Sequence, residues 1–168
     1  MTVEFKSRSV SQHCDNFIQG LADLKKYAIP QALDNFQRAY DAAPYGDIYH
    51  NKYASFCGVA RVLNGDRAGI ELCRDAVRQE LIDGDVYLNL AYAEWHIKSR
   101  KRSVGVLKQG LMVDRRHPGL KKFQQHLGKR SRKMIFFVSR DHVLNKVLGK
   151  LVRKKESTKE NWTFQNLL

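Results

Sequence analysis

Residues 85–114, DVYLNLAYAEWHIKSRKRSVGVLKQGLMVD, read as two helices joined by a tight turn. Ala91 lies in the first, Ser103 follows twelve residues on, and Gly110 seven beyond that. Small residues at this spacing let two antiparallel helices approach closely and let a following pair pack on them. Tyr87, Leu90 and Leu107 are the large residues that fill the space between.

The pattern recurs upstream. Gly20, Ala32 and Ala39 are again twelve and seven apart, with Phe36 in the place of Leu107 and Pro44 closing the copy. Gly58, Gly69 and Ala76 follow at eleven and seven, and their turn, Asn64-Gly65-Asp66, combines a helix breaker with an N-cap. From Ala39 to Ala76 is 37 residues, and from Ala76 to Gly110 is 34.

Three copies in near register resemble the tetratricopeptide repeat family, whose unit is about 34 residues of helix–turn–helix. The resemblance covers roughly residues 13–114 and implies an all-α, tetratricopeptide-like solenoid of about three repeats. Copy one departs from the family with Asn16 and Gln19 at places that favour large apolar residues. Copy two does so with Ala54, Cys57 and Cys73, and about three extra residues precede it. Terminal repeats of solenoids are often atypical because one face meets water, which suits copy one better than copy two.

Outward from the repeats, helices are expected at roughly 11–26, 30–43, 47–64, 67–81, 85–98 and 101–113, with Pro30 tolerated in a first turn. Gly46-Asp47 and Asp83-Gly84-Asp85 mark seams. Pro118 opens a further helix whose Leu120, Phe123 and Leu127 form one stripe and which Gly128 ends, a capping helix for the third repeat. Residues 1–128 are thus the repeat domain. Residues 129–155 are a basic connector and a basic C-terminal helix packed on it, with Ser139 as N-cap and an apolar face of Val143, Leu144, Val147, Leu148 and Leu151. Residues 156–168 are a tail, ending TFQNLL, expected to fray unless captured. The run from Arg115 to Lys150 also resembles the C-terminal part of small bacterial tetratricopeptide proteins, which implies a bacterial origin and one continuous module.

The chain of 168 residues, 43% hydrophobic, suffices for one packed domain. Strand signals are poor; only Met134–Val138 could pass for one. No apolar run approaches the ~20 residues of a membrane span, and the N-terminus has no apolar signal core. Cys14, Cys57 and Cys73 fall on helical positions and read as reduced thiols. A cytoplasmic protein is the expectation.

Charge is unevenly spread. Residues 1–97 carry 10 Lys and Arg against 13 Asp and Glu, whereas 98–155 carry 19 against 2. An anionic partner for the basic end is one implication; a merely solvated face is the other. Lys129, Arg130, Arg132 and Lys133 precede the last expected helix, and Lys146, Lys150, Arg153 and Lys154 share one of its faces. These are the candidate anion-binding residues, for nucleic acid held by phosphate contact or for an anionic membrane surface.

No catalytic constellation stands out. The six histidines are scattered, no phosphate loop, nucleophile elbow or HExxH is present, and Asp83 and Asp85 read as helix caps. No enzyme activity, metal, cofactor or small-molecule substrate is expected. The resemblance instead implies a concave groove lined by Phe17, Leu21, Ser55, Val59, Leu88, Tyr92 and Trp95, suited to a helix or an extended peptide. It lacks the Lys/Asn set with which some members clamp a C-terminal carboxylate. The expected function is therefore a non-enzymatic adaptor or scaffold for a protein or peptide partner. The alternatives are an accessory protein binding nucleic acid or an anionic surface through the basic half, a secretion-type chaperone, which the net positive charge makes less attractive, and a short solenoid that simply buries these residues or fills the groove with its own tail.

Overall fold

A computed structural model describes residues 13–128 and 163–167. Among these residues are seven α-helices, a 3-10 turn at Phe164–Asn166, and no strand. The helices are α1 (Asp15–Lys25), α2 (Ile29–Ala42), α3 (His50–Leu63), α4 (Gly69–Gln79), α5 (Gly84–His96), α6 (Arg100–Val113) and α7 (Pro118–Gly128). The fold is all-α, as read from the sequence. The apolar run 134–138, the connector and the basic C-terminal helix lie outside the described residues. None of the described helices is long and apolar enough to cross a membrane.

Three hairpins, α1–α2, α3–α4 and α5–α6, are closed by one device. Tyr27, Gly65 and Lys98 take φ of 61°, 94° and 67° just past the first helix of each hairpin. The next amide then reaches back five residues: Ala28 to the Asp23 carbonyl at 2.9 Å, Asp66 to Arg61 at 2.9 Å, Ser99 to Glu94 at 2.8 Å. This left-handed closure satisfies carbonyls that a helix end leaves open.

The second helix of each hairpin buries one stripe: Ile29, Ala32, Phe36 and Ala39 in α2, Gly69, Ile70, Cys73 and Ala76 in α4, Ser103, Leu107 and Gly110 in α6. Helices α3 and α5 are covered far more completely, over Tyr53–Ala60 and Val86–Glu94. The contacts explain the contrast. Helix α3 packs on α2, α4 and α5, and α5 packs on α3, α4, α6 and α7. The small residues serve as the spacing suggests. Ser103 Oγ donates to the Ala91 carbonyl at 2.7 Å, and a Cβ placed on Gly110 would lie 2.7 Å from Tyr87 Cβ.

Helix boundaries differ from the sequence reading where an acidic side chain captures the backbone. Helix α3 starts at His50, not 47, because Asp47 accepts from the Tyr49 amide at 2.7 Å and holds a turn. Helix α4 starts at Gly69, after Asp66 accepts from Ala68 at 2.9 Å. It ends at Gln79 because one oxygen of Glu80 collects the amides of Leu81, Ile82 and Asp83 at 3.1, 3.0 and 3.0 Å. Gln19 of the first copy has a partner: it and Asn35 both donate to the buried Asp23, at 3.0 and 2.9 Å.

Candidate functional site

The residues expected to line the groove come from α1, α3 and α5, and most are covered. Phe17, Ser55, Val59, Leu88 and Tyr92 are between 0% and 3% exposed, and Leu21 and Trp95 are half-buried. They fall into two groups. Phe17 joins Phe36, Tyr53 and Phe56, with ring centroids 5.7, 4.7 and 5.1 Å from its own. That is core packing between the first hairpin and α3. Leu88, Tyr92 and Trp95 belong to α5. Tyr92 stands 5.5 Å from Trp95 and 5.9 Å from Phe123 of α7.

The second group is covered by the chain's own C-terminal turn. Phe164 is 1% exposed and its ring lies 4.7 Å from that of Tyr92. Burial pushes the Tyr92 phenol up to about 12, with the Phe164 backbone acting weakly in the opposite direction. Gln165 Nε2 donates to the carbonyl of Lys25, at the end of α1, at 2.8 Å. Leu167 is 9% exposed. A Cβ on Gly119 of α7 would sit 3.4 Å from the Leu167 carbonyl oxygen and 2.6 Å from Leu88 Cδ2. The turn therefore touches α1, α5 and α7 together. Its one sequence-level signal is the return of apolar residues, Phe164 and Leu167 among them, at the end of a tail that begins polar.

A polar ladder links the N-terminal ends of α3, α5 and α7. Lys52 Nζ lies 2.7 Å from Asp85 and 3.2 Å from Asp83, and His117 Nε2 lies 3.0 Å from Asp85. Burial alone would raise the Asp85 carboxyl, but the hydrogen bonds from His117 and Lys52 outweigh it and hold the group at about 2. The bond to Asp85 in turn raises His117, against its burial. Asp83 also caps α5, accepting from the Asp85 amide at 2.8 Å. The two aspartates thus cap and pair. Between α3 and α5, Asn89 Nδ2 donates to Ser55 Oγ at 2.9 Å, while the buried Asn89 Oδ1 has no hydrogen-bond partner among the described residues.

The three thiols are unpaired, with Cys57 and Cys73 buried. Burial pushes Cys57 up to about 11 and raises Cys73 further, which makes both poor nucleophiles. Among the described residues no three His, Cys, Asp or Glu side chains are gathered to hold a metal ion.

Of the basic half, only the start is described. Lys98, Arg100, Lys101, Arg102, Lys108, Arg115, Arg116, Lys121 and Lys122 are all exposed, with Asp114 the sole acid between 98 and 128. A cleft of about 600 Å³ between α6 and α7 sets Lys101 and Lys108 beside Val104, Leu107 and Leu127. Lys129, Arg130, Arg132, Lys133, Lys146, Lys150, Arg153 and Lys154 lie outside the described residues.

No family model, curated protein or solved structure matches this chain.

Proposed function

We propose that this chain is a non-enzymatic adaptor that binds a protein or peptide partner, and that its three hairpins and α7 form a tetratricopeptide-like array with a capping helix. Two observations support the array. The left-handed closure recurs at Tyr27, Gly65 and Lys98, and α3, α5 and α7 touch one another in sequence while α4 and α6 each bridge to the next helix. The binding surface is the face to which α1, α5 and α7 contribute. A single observation carries this reading: the face already holds a short linear segment, with Phe164 on Tyr92 and Gln165 on the end of α1. Aromatic side chains supply large contact area there, and the Gln165 bond to the Lys25 carbonyl helps fix register.

Panning random 12-residue peptides against the full chain tests the reading. It predicts binders whose affinity falls at least ten-fold on Trp95→Ala, a half-buried position, with helical content unchanged. Binders indifferent to Trp95 would contradict it.

The second reading, a protein binding nucleic acid or an anionic surface, draws on the nine exposed cations of α6, α7 and their connections. Phosphate contacts release counterions, so such binding falls steeply between about 50 and 200 mM salt, whereas the peptide face is nearly indifferent. Fluorescence anisotropy with DNA, RNA and anionic vesicles across a salt series separates the two; no binding at low salt retires the second.

A further inference from the structure

The C-terminal turn is built as a self-contained unit. The Thr163 amide and hydroxyl both donate to Asn166 Oδ1, at 2.8 and 3.1 Å. The Asn166 amide returns to the Thr163 carbonyl at 3.1 Å, and Leu167 N–H bonds the Phe164 carbonyl at 2.9 Å. Every one of these bonds lies within five residues, so the turn is pre-organised by its own side chains. What it spends on the rest of the molecule is different in kind. Two apolar side chains three positions apart, Phe164 and Leu167, are sunk into the face, with the Phe164 ring on Tyr92, and one amide side chain bonds the exposed end of α1. Locally capped backbone with apolar anchors aimed outward is the form of a linear recognition motif docked in a pocket.

We propose that the face recognises a segment with an aromatic residue and, three positions on, a leucine in a capped turn, and that Thr163–Leu167 is a resident copy of that motif which an external partner must displace. The proposal rests on the adaptor reading and adds to it the chemistry of the partner and the presence of a competitor. The partner segment is a peptide with the pattern aromatic–X–X–leucine, favoured by a hydrogen-bonding side chain after the aromatic residue, as Gln165 is here. An intramolecular ligand competes at an effective concentration on the order of mM. The native chain therefore presents a face that is mostly occupied, and weakening the tail opens it.

The test uses the full chain and a fluorescein-labelled peptide of residues 161–168, NWTFQNLL, with anisotropy as the readout. Phe164→Ala with Leu167→Ala removes the resident anchors, and this double variant is expected to bind the peptide at least ten-fold more tightly than the native chain. A peptide with the same two alanines is expected not to bind. Gln165→Glu sets a carboxylate against the Lys25 carbonyl while keeping both anchors. It is expected to give an intermediate gain, and it keeps the test decisive if the double variant melts early. Equal affinity of native and variant chains, or no binding by Gln165→Glu and the double variant, overturns the proposal. A tail that seats on a second copy would show as a concentration-dependent dimer of the native chain, lost in the double variant, and also overturns it. If panned peptides bind through Trp95 while the tail peptide is ignored, the tail assignment falls and the adaptor reading stands. If the tail peptide binds as expected but no panned peptide depends on Trp95, the site is a self-docking device and the adaptor reading falls.

Discussion

Lys98 occupies left-handed backbone at φ 67° with its side chain exposed. A residue with a Cβ pays about 1–2 kcal/mol for that conformation, partly offset because glycine is freer in the unfolded chain. Lys98→Gly is expected to stabilise the protein by about 0.5–1 kcal/mol in urea melts; a loss of stability would mean the closure is not left-handed there. Gly110 is the opposite case. Its missing Cβ is what lets α6 lie on Tyr87 and Leu120, where a Cβ would sit 2.7 and 3.0 Å away. Gly110→Leu is expected to overpack this contact by about 1–3 kcal/mol, and an unchanged melting midpoint would contradict the packing. The Gly110 contact was legible from the spacing of small residues alone. The strained Lys98 was not, because only the glycine member of the three closures, Gly65, announces a left-handed position in its residue type.

At the scale of the helices, the second and third hairpins are joined by a buried ion cluster. Glu94 of α5 is 2% exposed, and Arg74 of α4 reaches it at 2.6 Å and Arg102 of α6 at 2.9 Å. Burying a carboxylate is costly unless charge and hydrogen bonds compensate. Glu94→Gln keeps the shape, removes the charge, and is expected to cost about 1–3 kcal/mol. A melt that matches wild type would show that the arginines do not pair with it in solution. The ladder at the other end of α5 is pH-dependent. His117 is raised above its ordinary value by the bond to Asp85, with Lys52, Asp83 and Asp114 nearby. A raised histidine contributes stability that is complete below about pH 6.5 and is lost as pH rises through its folded value. Asp85 stays ionised throughout, since its own value is about 2. The stability gap between wild type and His117→Asn is therefore expected to shrink above about pH 6.5; a gap constant from acid to alkaline pH would refute the pairing. The helices themselves, and Asp83 as a cap, were readable from periodicity and turn residues. The ion cluster was hidden because a lone Glu in LAYAEWHI looks like a solvated position until α4 and α6 are placed beside it.

Across the whole molecule, the sequence reading located Leu88, Tyr92 and Trp95 on one helix but left open whether their face was bare or filled. Local patterning could not decide this, since Phe164 and Tyr92 lie far apart in the sequence and meet only in the folded protein. The filled face unites the observations that bear on function: an aromatic floor and a tail motif that caps itself. The most direct measurement is amide exchange by NMR on the 15N-labelled full chain, with and without a saturating unlabelled peptide selected by panning. Displacement predicts that the Phe164 and Leu167 amides lose protection when the peptide binds, while amides in the middle of α3 and α5 keep theirs. Unchanged protection at Phe164 and Leu167, with the peptide bound, would contradict the claim that partner and tail share one face.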